Sequence, residues 1–310
     1  MSQILKTAPP LASIVVPFFN LNDNVNQCIR SLLAQRSDGF TFEIIAVDNG
    51  SDDGTLVRLQ SFAPQIRVLQ QTIPGAAAAR NCGIRAARGR YLALIDGDCV
   101  AGRHWLVSLI AGAQGLKENV IVGGPILPKD PDRLVAVFSR KLFDQRKAMT
   151  SPKFPYAASG NMLVSRSLLL QLDLFDETFM RAHDVDFSWR ALKERSAQFI
   201  FVPEAPVFHS NPRTLGDLFR EGMKHGKGQA IISTRHSDFT GISTRRRITA
   251  WKQYRPIISD FYHFTAGLRR RGTYAAVRRT FHFYWGVFHG GKQLGCVLQS
   301  AKILLSNRRR

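Results

Sequence analysis

Apolar positions in the first hundred residues come as short continuous blocks alternating with stretches of helical periodicity. Ala12-Ser13-Ile14-Val15-Val16-Pro17 is too brief for a helix and predicts a strand buried on both faces, stopped by its proline. From Asn24 to Ala34 the apolar residues Val25, Ile29, Leu32 and Leu33 fall at helical spacing. The alternation then repeats: a strand over 42–47, a helix over 55–62, a strand over 66–69, an alanine-rich helix over 76–87 and a strand over 91–95. Strands and helices alternating at this interval predict an α/β domain with a mainly parallel sheet and right-handed crossovers.

Further on the pattern is less regular. It predicts a helix over 105–113, a strand from Val120 running into Gly123-Gly124-Pro125, and a glycine-marked strand over 158–164. A helix opening at 168–172, another over 184–193, and strands at 199–202 and 207–209 follow. From Leu215 onward the chain reads as helices, over 215–226, 257–268, 274–288 and 294–305.

The polar residues matter through where they fall. Val47 is followed by Asp48-Asn49-Gly50-Ser51-Asp52-Asp53, and Ile95 by Asp96-Gly97-Asp98. Open α/β sheets bind ligands beyond the carboxyl ends of their strands. Two hard oxygen donors there suit Mg²⁺ or Mn²⁺ carrying a diphosphate, with Gly97 letting backbone approach a ligand. Taken alone, Asp-Gly-Asp reads equally as a polar turn.

A chain of 310 residues with 45% apolar and 21% charged residues is globular in composition. Its net charge of +20 is unevenly placed. Residues 213–310 hold 20 Lys and Arg against 4 Asp and Glu, whereas residues 1–212 hold 23 against 19. Such a tail attracts polyanions, either nucleic acid or anionic lipid. Cys28, Cys82, Cys99 and Cys296 lack C-x-x-C spacing, which disfavours disulfides and a thiolate zinc site and suits a reducing cytoplasm. Neither a signal peptide nor a spanning helix is expected, since no run of 18 apolar residues occurs. No G-x-G-x-x-G or Walker loop is present, which argues against a dinucleotide dehydrogenase or a P-loop enzyme.

Six motifs in one order change the picture. They are Ser13-Ile14-Val15-Val16-Pro17-Phe18-Phe19-Asn20, Ser31-Leu32-Leu33-Ala34-Gln35, Val47 to Asp53, Ala79-Arg80-Asn81-Cys82-Gly83, Leu94 to Asp98, and His183-Asp184-Val185-Asp186-Phe187-Ser188-Trp189-Arg190. With them, residues 11 to 230 resemble the inverting, GT-A-fold glycosyltransferases of family 2. The resemblance implies a Rossmann-like GT-A domain over 1–212, with helices on both sheet faces. Its nucleotide-binding half would span about 11–98 and its acceptor half about 99–212, followed by a basic helical region over 213–310.

The resemblance also implies roles. Pro17, Phe18, Phe19, Asn20, Asp48, Arg80, Asp96 and Arg220 would hold a nucleotide-diphosphate sugar, with uridine the preferred base. Asp98 would ligate Mn²⁺ or Mg²⁺, with Asp96 and His209 completing the metal site. Asp184 would take the acceptor hydroxyl's proton, although His183 stands where relatives often carry Glu or Asp. Ser159, Gly160, Asn161 and Trp189 would line the acceptor side. Each has a plainer reading: Asp184 as a helix cap, His209 as a strand-end histidine, Trp189 as packing, and Asp186 with Arg190 as an i,i+4 ion pair. Rival functions are a related sugar nucleotidyltransferase, disfavoured by Phe18-Phe19-Asn20-Leu21 after the first strand, and a nucleic-acid-binding protein acting through the tail.

The tail interleaves Phe261, Tyr262, Phe264, Phe281, Phe283, Tyr284, Trp285 and Phe288 with Arg245-Arg246-Arg247 and Arg269-Arg270-Arg271. Aromatics with cations are what an in-plane membrane anchor requires, each basic residue contributing about 1 kcal/mol at an anionic surface. This predicts a peripheral enzyme on the inner face of the plasma membrane, acting on a surface glycan or lipid-linked acceptor. Absence of Q-x-x-R-W disfavours processive extrusion, and nucleic acid is not an expected partner. Deleting residues 257–310 is expected to abolish flotation with anionic liposomes; a truncated protein that still floats would place the contact elsewhere.

Overall fold

The computed structural model describes residues 8–116, 118–130, 144–210, 214–240 and nine helical positions between 291 and 303. The expected helices over 257–268 and 274–288, the arginine clusters and the tail aromatics lie outside these. The chain divides into two compact units. The first comprises residues 1–129, 143–178 and 183–210; the second comprises 130–142, 179–182 and 211–310.

The first unit is built on a seven-stranded sheet in the order β3-β2-β1-β4-β8-β6-β9. Its strands are β1 (Ala12–Phe18), β2 (Phe42–Asp48), β3 (Arg67–Gln70), β4 (Tyr91–Ile95), β6 (Val120–Gly123), β8 (Asn161–Ser165) and β9 (Gln198–Phe201). The β1–β4 group is parallel throughout, as is β6 with β9, while β8 runs antiparallel to both β4 and β6. A smaller sheet, β5-β10-β7, joins Cys99–Ala101, Val207–His209 and Ile126–Pro128. The sequence pattern predicts β10 but neither β5 nor β7, which are equally short.

The apolar runs are continuous because the sheet is covered on both faces. In β1, Ala12, Ile14, Val16 and Phe18 join one core with α1 (Asn22–Leu33) and α4 (Trp105–Ala113). Val15 joins the other, with α3 (Ala76–Ala86) and Phe187. Pro17 does not end β1, as the sequence suggests, but pairs in register with Val47. The ladder to β4 stops at Val15, so beyond it β1 has a partner on one side only, where a missing N–H is tolerated.

The remaining elements of this unit are short, apart from the helix at its site. α2 (Thr55–Gln60) follows β2, and α5 (Gln145–Met149) starts at Asp144, whose side chain accepts from Lys147 N. α6 (Arg166–Gln171) starts at Ser165, capped in the same way by its hydroxyl. α7 (His183–Arg195) carries the site. Arg190 on α7 pairs with Asp186 at 2.8 Å and donates to the Leu174 carbonyl, confirming the ion-pair reading.

The second unit contains α8 (Leu215–Arg235) and α9 (Ser237–Thr240). A capping box between Thr214 and Asp217 starts α8, which continues well past Gly226, where the sequence suggests an end. Gly226 is there for contact: a Cβ would lie 1.8 Å from the Lys292 carbonyl oxygen. Gly291 and Gly295 make the reciprocal approach to the Phe219 and Met223 carbonyls.

Asn161 locks the acceptor-half strands. Its Oδ1 accepts from Trp105 Nε1 at 2.7 Å, and its Nδ2 donates to the Pro125 and Ala205 carbonyls at 3.0 and 2.9 Å. Buried partners left unsatisfied cost roughly 1–3 kcal/mol each. Asn161→Ala is therefore expected to lower unfolding free energy by roughly 3 kcal/mol or more in urea titration, and a change under roughly 1 kcal/mol would contradict this bonding.

Candidate active site

The site lies beyond the carboxyl ends of β1, β2 and β4 in the first unit. Asp96, Gly97 and Asp98 connect β4 to β5, and β5 pairs with β10 so that His209 stands opposite Cys99. This register brings His209 Nε2 to 3.3 Å from Asp98 Oδ2. Ser210 donates to the Asp98 carbonyl at 3.2 Å and accepts from Asn24 Nδ2 at 3.3 Å, tying this turn to α1.

Gly97 must be small because its loop packs on β1. A Cβ there would meet the Phe18 ring at 2.6 Å and the Pro17 carbonyl oxygen at 2.8 Å. Phe18 itself is buried and turns its ring into the core, so only its backbone is left to face a ligand. Phe19 is 60% exposed, and Asn20, also exposed, adopts a left-handed φ of 51°. Asn20 accepts from Asp52 N, and its own N–H donates to Ser51, joining the loops after β1 and β2.

Asp48 is almost wholly buried at the end of β2. Its Oδ2 accepts from the N–H groups of Gly50 and Ser51, both at 3.2 Å, while Oδ1 has no hydrogen-bond partner among the described residues. A buried acceptor without a donor is costly.

Asp98, Cys99 and His209 present donor atoms within 4.8 Å of one another. Burial pushes the Asp98 carboxyl above its usual range, His209 opposes that, and Asp96 adds to it. Burial also drives the Cys99 thiol well above its ordinary value, with both aspartates adding. Cys99 is accordingly a protonated thiol, 3.8 Å from Asp98 Oδ1. The carboxylate and imidazole suit a hard divalent cation, and the neutral sulfur does not make the site soft.

Asp96, expected at the metal site, is engaged through one oxygen in an ion pair. Its Oδ1 pairs with Arg80 Nη2, because the guanidinium is nearly fully buried and demands a counter-charge. Arg80 sits in the second turn of α3, whose alanines let the helix lie close against the sheet. Its Nη1 donates to the Ala76 carbonyl at 3.3 Å and lies 3.0 Å from His183 Nε2.

Asp184 follows in the first turn of α7. Its Oδ1 accepts from Val185 N at 2.9 Å and its Oδ2 from Ser159 N at 3.2 Å. Ser159 Oγ in turn lies 3.3 Å from His183 Nε2, and a Cβ on Gly160 would come 2.8 Å from Asp96 Oδ2. Ser159 and Gly160 thus join the β4 carboxylate to the α7 carboxylate. Asn161 has its polar atoms committed as described, and Trp189 is buried against Phe154 at 5.7 Å, which matches its packing reading. Arg220 lies on α8 in the second unit, exposed and paired with Asp217 at 2.5 Å. Tyr156 was not foreseen. Burial raises its phenol above the ordinary value and the Asp184 charge adds to this, so it is a neutral hydroxyl in that carboxylate's field. No motif around Tyr156 signals such a place.

Comparison with known proteins agrees with this architecture. Residues 13–172, half of the chain, match the family model for Glycosyl transferase family 2. Glycosyltransferase AglE of Haloferax volcanii is 27% identical over 229 residues, covering 72% of this chain and 74% of AglE. The uncharacterized glycosyltransferase EpsJ of Bacillus subtilis is 28% identical over 224 residues, covering 67% of this chain and 64% of EpsJ. Among solved structures, the mannosyltransferase PcManGT of Pyrobaculum calidifontis, in complex with GDP-Man and Mn²⁺, superposes with a TM-score of 0.63. That pair shares 16% identity, over 95% of this chain and 88% of PcManGT. Staphylococcus aureus TarS 1–349, in complex with UDP, gives 0.52 at 15% identity, covering 92% and 90%. At such identities the likeness concerns the fold, which is GT-A.

The raised thiols make a direct chemical prediction. Only thiolates are alkylated readily, and burial also drives Cys28 far above its usual value. Iodoacetamide at pH 8 should spare Cys28 and Cys99 in native protein, as read by peptide mass spectrometry. Rapid labelling of Cys99 would instead indicate a thiolate beside Asp98.

Proposed function

The chain belongs to glycosyl transferase family 2, and from that premise we propose that it moves a sugar, with inversion, from a nucleotide-diphosphate donor to a hydroxyl acceptor. One observation supports this above all. The Asp96 carboxylate after β4 and the Asp184 carboxylate on α7 belong to one connected set of hydrogen bonds, through Arg80, His183 and Ser159.

The nucleotide lies at the ends of β1 and β2. Asp48 Oδ1 accepts from an N–H of the base, and uracil, with one such group on its pairing edge, fits that single acceptor. Arg80 and Asp96 organise the diphosphate side. Asp98 and His209 would hold Mn²⁺ or Mg²⁺, with Asp96 close to that site. A divalent ion bound there would supply Lewis-acid stabilisation of the leaving diphosphate.

Asp184 is the general base. An alcohol's proton is too tightly held to leave unaided at neutral pH, so a positioned carboxylate takes it as the oxygen attacks. The acceptor oxygen bonds to the anomeric carbon, the bond from that carbon to the diphosphate oxygen breaks, and the proton passes to Asp184. Attack opposite the leaving group inverts the configuration and needs one base, whereas a retaining hydrolase uses a second carboxylate as nucleophile. The two backbone N–H groups on Asp184 fix its orientation while leaving further lone pairs for the incoming hydroxyl.

The acceptor belongs to a surface or lipid-linked glycan, approached from the inner face of a membrane through the basic tail. Among the described residues no helix is long and apolar enough to cross a membrane, and the charge of the tail supports a peripheral contact.

Two variants test the assignment. Asp98→Ala is expected to abolish the gain in UDP or GDP affinity that Mn²⁺ confers in calorimetry, and an unchanged gain would remove Asp98 from the metal site. Asp184→Asn should keep nucleotide binding while transfer falls by about a hundredfold to ten-thousandfold. Turnover at the wild-type rate in that variant would refute the base.

A further inference from the structure

The mechanism leaves His183 without a task, although it touches residues on both sides of the reaction. The ring is 6% exposed and meets the Phe175 ring edge-on at 5.4 Å and 90°. Its Nε2 lies 3.0 Å from Arg80 Nη1 and 3.3 Å from Ser159 Oγ. A guanidinium has only donors, so the nitrogen that faces it accepts. The ring's proton then resides on Nδ1.

We propose that His183, as the neutral Nδ1–H tautomer, is the positioning residue that orients the Arg80 guanidinium so that its other arm grips Asp96. One helix end thereby places both the base and, through Arg80, the donor-side carboxylate. What that carboxylate does rests on the transferase reading; the hydrogen bonding that positions it does not.

Three side-chain chemistries at position 183 show why this one works. A carboxylate would give Arg80 a second anion, competing with Asp96 for the same buried charge. An aliphatic side chain would strand an N–H of a nearly fully buried guanidinium. A neutral acceptor satisfies that N–H and leaves the positive charge to Asp96 and an incoming diphosphate. The contact with Ser159 also takes its meaning from this. A serine hydroxyl beside a histidine nitrogen suggests an activated nucleophile, but Arg80 already occupies the lone pair that would remove the proton. Ser159 Oγ therefore finds no base in Nε2, and the task of this serine is carried by its backbone N–H, which holds Asp184.

Groups that orient a functional side chain typically matter by about tenfold to a hundredfold. His183→Leu removes the acceptor, and His183→Gln restores an uncharged one at similar reach. Calorimetry with UDP and with GDP, each in the presence of Mn²⁺, is expected to show affinity reduced about tenfold or more in the leucine variant. The glutamine variant should stay within about threefold of wild type, although both lose ring packing and melt earlier. Nitrogen-15 NMR of the wild-type ring is expected to show a protonated Nδ1 and a bare Nε2. A protonated Nε2 would overturn the proposal, and so would equal affinity in all three proteins. Wild-type protein that binds neither nucleotide would refute the donor reading, and the tautomer alone would then decide the role of His183.

Discussion

A buried guanidinium is the constraint from which the site follows. Arg80 is 2% exposed, and a charge so placed persists only when it is paired and its N–H groups are bonded. The pairing draws Asp96 from the end of β4, and the bonding draws His183 from the start of α7. The end of β4 and the start of α7, the latter 103 residues from Arg80 in sequence, are thereby fixed to one group. The alanines before Arg80 serve the same end. Ala77, Ala78 and Ala79 are all but inaccessible, and a Cβ on Gly83 would lie 2.5 Å from Val15. Small residues let α3 sit low on the sheet, so its second turn reaches the strand ends instead of solvent.

Around that group the fold works by close approach. Gly97 admits the Phe18 ring beneath the β4–β5 turn, and Gly160 admits the Asp96 carboxylate. Gln145 holds the loop between them, its amide donating to the Asn161 carbonyl and its oxygen accepting from Ala158 N. Each contact removes freedom from a carboxylate-bearing segment before any ligand arrives. Preorganisation of this kind is the main resource of a transferase, since fixed dipoles and charges need no reordering as charge develops.

Asp98 and Asp96 are treated differently by their surroundings although they are two residues apart. Asp96 has the Arg80 charge as its partner. Asp98 is half-buried, with the Asp96 charge nearby and an imidazole opposite, and desolvation together with that charge raises its carboxyl above the usual range. A cation there would offset both burial and repulsion, and the donor atoms of Asp98, Cys99 and His209 are grouped closely enough to hold one.

The strands of the first half were legible because the sheet is buried on both faces, so β1, β2 and β4 carry short, nearly continuous apolar runs in place of a helical period. Their polar ends located the site, and the order of the motifs gave the family. Those features belong to sequence because burial and turn chemistry act over a few neighbouring residues. Tertiary structure alone decided the rest. It made β8 antiparallel, placed Pro17 within β1, turned Phe18 inward, assigned Asn161 to the Trp105 indole, and set Cys99 and Tyr156 beside the two carboxylates. It also chose Arg80 as the partner of Asp96 and His183 as the partner of Arg80. Each of these depends on which surfaces meet across the fold, and a local pattern holds no record of the residue that stands opposite it in space.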